Sequence, residues 1–218
     1  MSGPNRSTAV MQRRVEPHDS LDDFPTPPWA TRAIIEQLHC LGVAVQGQSV
    51  REPAANRGYM VAPLREFFAH VDASDVHDYG YGFPVRDYLF PGDLSDVDWT
   101  FCNPPFRLAQ QFIERALGTS RVGVAMVVRG AFSEGVGRYE KLFGPNPESY
   151  VFQHVERVPM VKGRYDPAAS TATAYSWHVW LQGFGPDSRF RRIAPCRKRL
   201  ERADDVTIPE RLFAGDAA

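Results

Sequence analysis

Asn103-Pro104-Pro105-Phe106 joins an amide, two rigid prolines and an aromatic ring at the end of a strand-like run, Val97-Asp98-Trp99-Thr100-Phe101-Cys102. That run is rich in aromatic and β-branched residues. The two prolines stop it. Each fixes its own φ near about −65° and brings no N–H donor, and each pushes the preceding residue out of the helical region. Asn103 and Pro104 are therefore stiff, and their carbonyls stand out with no proline N–H to compete for them. In open α/β sheets the C-terminal edge of the strands is where ligands bind. The corner suits a flat substrate carrying an NH₂ group. Asn103 Oδ1 and the Pro104 carbonyl can each accept one N–H, while Phe106 stacks on the ring. An exocyclic amine conjugated to a heterocycle is a poor nucleophile because its lone pair is delocalised. Two acceptors on its hydrogens favour a more tetrahedral nitrogen whose lone pair can attack. The same four residues also make an ordinary strand-to-loop turn, where Asn-Pro is common, so the surrounding elements must decide.

Those elements alternate. Residues 1–20 are polar, mixed in charge and without periodicity, and are expected to form a mobile tail. Asp22-Asp23-Phe24-Pro25-Thr26-Pro27-Pro28-Trp29 is a rigid, extended segment. It leads into a helix with Ala33, Ile34, Leu38 and Leu41 on one face, starting at Thr26 or Pro28. Gly47 to Arg51 reads as a short strand, and Glu52-Pro53-Ala54-Ala55-Asn56-Arg57-Gly58 as a loop of small residues. A helix follows with Met60, Leu64, Phe67 and Phe68 on its stripe. Strand, small-residue loop and helix make a turn of the nucleotide-binding shape, with a helix N-terminus facing the ligand. It is also the shape of any βα connection. His70 to Val76 is the next strand, and Asp75 at its end can accept hydrogen bonds from ribose hydroxyls or cap a turn.

Val85 to Leu89 is short and ambiguous. After the Asn103 corner, Arg107 to Leu117 is helical and Val122 to Val128 is apolar enough for a buried parallel strand. Tyr139 to Phe143 suggests a short helix, Val151 to Val155 and Val158 to Val161 late strands, and Ala174 to Trp180 an alternating aromatic strand. Arg189, Arg191, Arg192, Arg197, Lys198, Arg199 and Arg202 form a basic run that suits a solvated helix or tail. Beyond Asp204 the chain is expected to fray. The pattern predicts an α/β domain with a mostly parallel sheet and an antiparallel end.

Composition sets few limits. The chain has 218 residues with 43 % hydrophobic and 23 % charged content, enough for one domain with a real core. A net charge of −1 gives no global pull onto nucleic acid or membrane, so any polyanion must meet a local patch. Cys40, Cys102 and Cys196 form neither a metal-ligand pattern nor a disulfide framework. No metal is expected, and the cysteines fit a reducing cytoplasm. No apolar run approaches the length of a membrane span, and the N-terminus has no apolar signal core.

In order and spacing these pieces resemble class I S-adenosylmethionine-dependent methyltransferases of the amino-group DNA type, above all the small DNA N6-adenine methyltransferases of phages and phage-like elements. The resemblance runs from about Asp22 to about Arg202. Asn103-Pro104-Pro105-Phe106, placed after the fourth strand, carries most of it. Glu52-Pro53-Ala54 with Gly58, the Asp23 to Pro28 segment, and Glu156 to Arg164 add to it. It implies a Rossmann-like, seven-stranded, mostly parallel sheet with an antiparallel last strand and helices on both faces. One methyltransferase domain would span 21–203, followed by a C-terminal tail over 204–218. Glu52, Ala54, Asn56 and Gly58 would border the methionine part of the cofactor, Asp75 would hold its ribose, and Asp87 would sit by its adenine. Pro25, Thr26 and Pro27 would close the pocket. Asn103, Pro104, Pro105 and Phe106 would grip a flipped adenine. The sulfonium methyl is already activated, so alignment and exclusion of water suffice, and no catalytic His or Cys is needed. His178 and Cys102 read as core residues.

The family loop carries glycine where this chain has Asn56. Asn tolerates left-handed backbone better than most residues, but its side chain would crowd the methionine carboxylate and weaken cofactor affinity. No separate recognition domain is visible, because two βα units use up the stretch between Gly58 and Asn103. Contacts to duplex DNA fall to the Lys162-Gly163-Arg164 loop and to Arg197, Lys198 and Arg199, which suit phosphates rather than bases. A homodimer would enlarge that footprint. Two other readings remain open: a methyltransferase acting on another planar amine or amide (cytosine N4, RNA, protein glutamine), and a DNA-binding or packaging accessory that keeps the fold without turnover.

Overall fold

Val97–Cys102 does form a strand, and its alternating side chains explain why the sheet is covered on both faces. A computed structural model of the chain describes residues 22–215; the expected N-terminal tail lies outside them. In order, the elements are α1 (Pro28–Cys40), β1 (Ser49–Glu52), α2 (Val61–Phe67), β2 (His70–Ala73), β3 (Val97–Cys102), α3 (Ala109–Thr119) and β4 (Ser120–Arg129). A 3₁₀ turn, a short helical segment α4 (Val136–Arg138) and a π-helical turn (Tyr139–Phe143) follow. The chain continues with β5 (Tyr150–His154), β6 (Tyr175–Leu181), β7 (Arg189–Ile193), α5 (Arg197–Leu200), a 3₁₀ turn (Ala203–Thr207) and α6 (Ile208–Gly215).

The seven strands lie in the order β2-β1-β3-β4-β6-β5-β7. β2, β1, β3 and β4 run parallel, β6 is antiparallel to both β4 and β5, and β7 is parallel to β5. Successive residues of a strand point to opposite faces. Trp99, Phe101, Ala125 and Val127 pack under Trp29, Ile34, Ile35, Leu38 and Leu64 of α1 and α2. Cys102, Val124, Met126 and Val128 pack under Phe112, Ile113 and Ala116 of α3. The expected doubly covered, seven-stranded sheet is therefore present. No helix among the described residues is long and apolar enough to cross a membrane.

Five expectations are corrected. The antiparallel strand is β6, not the last one: the chain turns back once more and β7 adds a parallel edge strand. The Asn103 corner follows the third strand rather than the fourth. Between Ser74 and Asp96 a second βα unit is missing, and only one bridge, Asp75 to Val85, pairs there. The reason is local. Asp78 and Asp87 each accept the backbone N–H two residues on, of Gly80 and Leu89, and these Asx turns compete with a ladder. Val158 to Val161 is likewise extended chain with a single bridge, Val161 to Arg164, because Pro159 cannot donate to a ladder.

The fifth correction concerns the C-terminus, which does not fray past Asp204. Asp205 is fully buried and receives two 2.8 Å hydrogen bonds from Arg32 on α1. Glu66 completes the network with Arg32 and Arg202. Leu212 of α6 packs against Tyr59, Val61 and Ala73. The folded body extends through α6, which approaches Gly58 at the foot of the loop that follows β1.

Candidate active site

The C-terminal ends of β1, β2 and β3 open into one crevice with about 270 Å³ of water-accessible space. Pro25, Thr26, Glu52, Ala54, Asn56, Asp75, Asp87, Asn103 and Pro105 all line it. Residues far apart in sequence thus converge where a parallel sheet presents its strand ends. Pro27, Gly58, Pro104 and Phe106 do not line it. Pro27 caps α1 and Pro104 is buried.

Gly58 is displaced from its expected place beside a ligand by packing. Its φ is +84°, and a Cβ there would stand 2.4 Å from Leu212 Cδ1 and 3.1 Å from the Phe83 ring. The glycine serves a left-handed turn and the approach of α6. Asn56 is the single non-glycine residue with positive φ among the described residues, at 52°, so the loop does take the left-handed turn. Its side chain is engaged: Nδ2 donates to Asp23 Oδ1 at 2.8 Å, and Oδ1 accepts from the Arg57 backbone and guanidinium.

The segment Asp22 to Pro27 straps across the crevice. Phe24 O accepts from Asn103 Nδ2 at 2.8 Å, and Asp22 Oδ2 accepts from the Phe106 N–H at 2.8 Å. Asp23 Oδ1 accepts from Asn56 and from Arg57, while its carbonyl accepts from the Gly163 N–H. One strap thereby ties the β1 loop, the Asn103 corner and the Lys162-Gly163-Arg164 loop together. The prolines of this strap are expected site residues from the sequence, and its acids are not. Consecutive carboxylates ahead of a proline segment were the available signal. Tyr59, Tyr79, Tyr88, Leu108 and Phe112 also line the crevice and were missed, since aromatic and aliphatic wall residues look like ordinary core in a sequence.

Asn103 Oδ1, Glu52 Oε2 and Thr26 Oγ1 are buried without a hydrogen-bond partner among the described residues. The Tyr88 hydroxyl, on another residue of the crevice lining, is likewise buried without a partner. Buried polar atoms are ordinarily satisfied, and a ligand in the crevice can supply bonds to the atoms that face it. Glu52 is 1 % exposed and accepts only the Ala54 N–H at Oε1 among the backbone donors. Burial pushes its carboxyl up to about 8, with the Ala54 N–H pulling the other way. Asp75 accepts the N–H groups of Asn56 and His77, one at each oxygen. Burial raises its pKa, against these bonds.

The basic candidates are mostly paired within the chain. Arg164 meets Asp166 at 3.1 Å, Arg197 meets Glu201 and the Pro167 carbonyl, and Arg199 meets Glu36 at 2.6 Å. Lys198 lies on the same short helix as Arg197 and Arg199. The Arg189 to Arg202 run is an edge strand plus this helix rather than one helix or a tail.

Solved structures of similar fold include methyltransferases. A proposed RNA methyltransferase from Pyrococcus horikoshii superposes with a TM-score of 0.56 at 16 % identity, over 77 % of this chain and 91 % of that one. The methyltransferase subunit of a type I restriction-modification system from Streptococcus thermophilus gives 0.59 at 11 % identity, over 90 % and 53 %. The modification subunit of a proposed type I restriction enzyme from Vibrio vulnificus gives 0.54 at 15 % identity, over 88 % and 53 %. This chain spans about half the length of the two restriction-system subunits. No family model matches the sequence, and no curated protein does. The likeness establishes the fold of class I methyltransferases.

Proposed function

We propose that this protein transfers the methyl group of S-adenosylmethionine to the N6 amino group of adenine in DNA. The observation that carries the reading is Asn103 Oδ1, a buried acceptor without a partner on the wall of a crevice at the strand ends. The methyltransferase fold and the resemblance of the ordered motifs support it.

The crevice residues fit the cofactor. Thr26 Oγ1 and Glu52 Oε2 are buried polar atoms without a partner among the described residues, and Leu89, Leu108, Phe112 and the ring of Tyr88 form an apolar wall. On this reading Glu52, Ala54 and Asn56 border the methionine part, Asp75 the ribose and Asp87 the adenine, with Pro25 and Thr26 over them. When bound, S-adenosylmethionine supplies a methyl group already activated by its sulfonium. The chain's own residues do the rest. Asn103 Oδ1 accepts one N–H of the target amine and the Pro104 carbonyl the other, turning the nitrogen lone pair toward the donor. The strap and the apolar wall keep water away. The amine nitrogen takes the methyl carbon as the carbon–sulfur bond breaks, and the methylated amine then gives its extra proton to solvent water, so no strong base is required.

Base extrusion brings the target to the corner, and Phe106 stacks on it. Lys162, Arg164, Arg197, Lys198 and Arg199 are the proposed phosphate contacts. The ion pairs of the three arginines must open for this, so their contribution is small. Incubation with duplex DNA and cofactor labelled in its methyl group, followed by nucleoside analysis, tests the proposal. Label in N6-methyladenine is expected. Label in N4-methylcytosine, in RNA or in protein overturns the substrate, and no label with DNA binding intact favours an accessory protein.

A further inference from the structure

Phe106 is already stacked. The guanidinium carbon of Arg129 lies 3.7 Å from the centroid of the Phe106 ring, the thickness of one stacked aromatic layer. The ring's other neighbours are apolar and aromatic. Phe106 packs against the main core cluster. The rings of Phe24 and Tyr175 flank it, with centroids at 5.7 and 6.4 Å and tilts of 34° and 33°. Arg129 is exposed, so the layer it fills is on the solvent side, where a ring extruded from nucleic acid would arrive.

Arg129 is the last residue of β4 and pairs in register with Tyr175 on β6. Its backbone is held by the sheet, and only the side chain can move. No hydrogen bond or ion pair holds its guanidinium among the described residues. A guanidinium is planar, delocalised and weakly hydrated, and it stacks on aromatic faces as a lysine ammonium cannot. It therefore covers Phe106 much as a nucleobase does.

We infer that Arg129 holds the place of the substrate's base on Phe106 and is displaced when a planar base enters. This rests on the acceptor role proposed above for the Asn103 corner. A base stacked on an aromatic side chain binds more strongly than an exposed cation on the same ring, so an incoming base wins the exchange. The arginine keeps the apolar ring covered until then, and it taxes the affinity for every base by the population that must open.

Deoxyadenosine binding, with the demethylated cofactor product present to prevent turnover, tests the inference. Arg129→Ala is expected to bind the nucleoside roughly two- to fivefold more tightly than wild type, the reciprocal of an exposed cation–π contact. Arg129→Lys, which keeps the charge without the plane, falls between them. By nuclear magnetic resonance, the Arg129 side-chain Hε proton of the wild type is shifted upfield by the Phe106 ring current. Saturating nucleoside removes that shift, and Phe106→Leu lacks it from the start. Unchanged or weaker binding by Arg129→Ala, while Asn103→Ala still abolishes binding, overturns the inference alone. An upfield shift that persists at saturation does the same. If no variant binds any purine nucleoside, the acceptor reading falls together with it.

Discussion

The carbonyl oxygen of Phe24 lies 2.8 Å from Asn103 Nδ2. A carbonyl can only accept, so the amide must turn its NH₂ toward the strap and its oxygen toward the crevice. The strap thereby fixes the polarity of the corner. A freely rotating asparagine would present donors to a substrate amine half the time, and donor facing donor is repulsive. The contact at 3.6 Å from Nδ2 to Met160 Sδ supports the same orientation.

The strap is also coupled to the β1 loop through Asp23. Asp23→Ala removes the partner of Asn56 Nδ2 and of Arg57 together. Calorimetric titration should show a severalfold loss of affinity for S-adenosylmethionine. The loss should shrink when Asn56→Gly is already present, with a coupling of about 0.5–3 kcal/mol between the two positions. Additive losses would mean that Asn56 does not transmit the strap's position. Asn56→Gly alone relieves about 1 kcal/mol of backbone strain and loses this tie, so its own affinity should stay close to wild type.

Glu52 gives the stability a pH dependence of known sign. Its carboxyl titrates near 4.5 in an unfolded chain and near 8 in the folded one. Between those values the folded state binds the extra proton, so stability falls as pH rises, by about 1.4 kcal/mol per unit at most. The stabilising contribution is complete below about pH 4.5 and lost above about pH 8. Denaturant unfolding of the ligand-free protein at pH 6 and pH 8 measures it. Glu52→Gln should flatten the difference, and an unchanged slope in that variant would assign the effect elsewhere.

Gly58 tests whether the C-terminal helix belongs to the domain. Gly58→Ala meets a left-handed backbone and the Leu212 side chain at once. A loss of about 1–3 kcal/mol is expected. Leu212→Ala makes room for the new methyl group, so the double variant should be more stable than the sum of the two losses predicts. Strict additivity would remove Leu212 from the explanation.

Local signals carried the parts of this fold that were legible. Val97 to Cys102 ends at two prolines because prolines act on their own neighbours. The apolar run of β4 is buried on both faces because a central strand, here parallel to β3 and antiparallel to β6, is covered by helices on both sides. Long-range pairing was hidden. Nothing beside Asp205 foretells Arg32, which lies on α1, so the C-terminal segment read as a tail. Gly58 read as a ligand glycine because its clash partner, Leu212, is brought in only by the tertiary fold. The contacts of Asp22 and Asp23 are not legible in the sequence because their partners are a loop and a corner elsewhere in the chain. The site was legible as a set of residue types, and its wiring was not.

The central claim is that Asn103 grips an amine that accepts a methyl group. Asn103→Ala, assayed in parallel for labelled-methyl transfer to duplex DNA and for cofactor affinity by calorimetry, tests it most directly. Loss of transfer by more than about a hundredfold, with cofactor affinity within about threefold of wild type, is the expected result. Transfer that persists near the wild-type rate in Asn103→Ala would contradict the account.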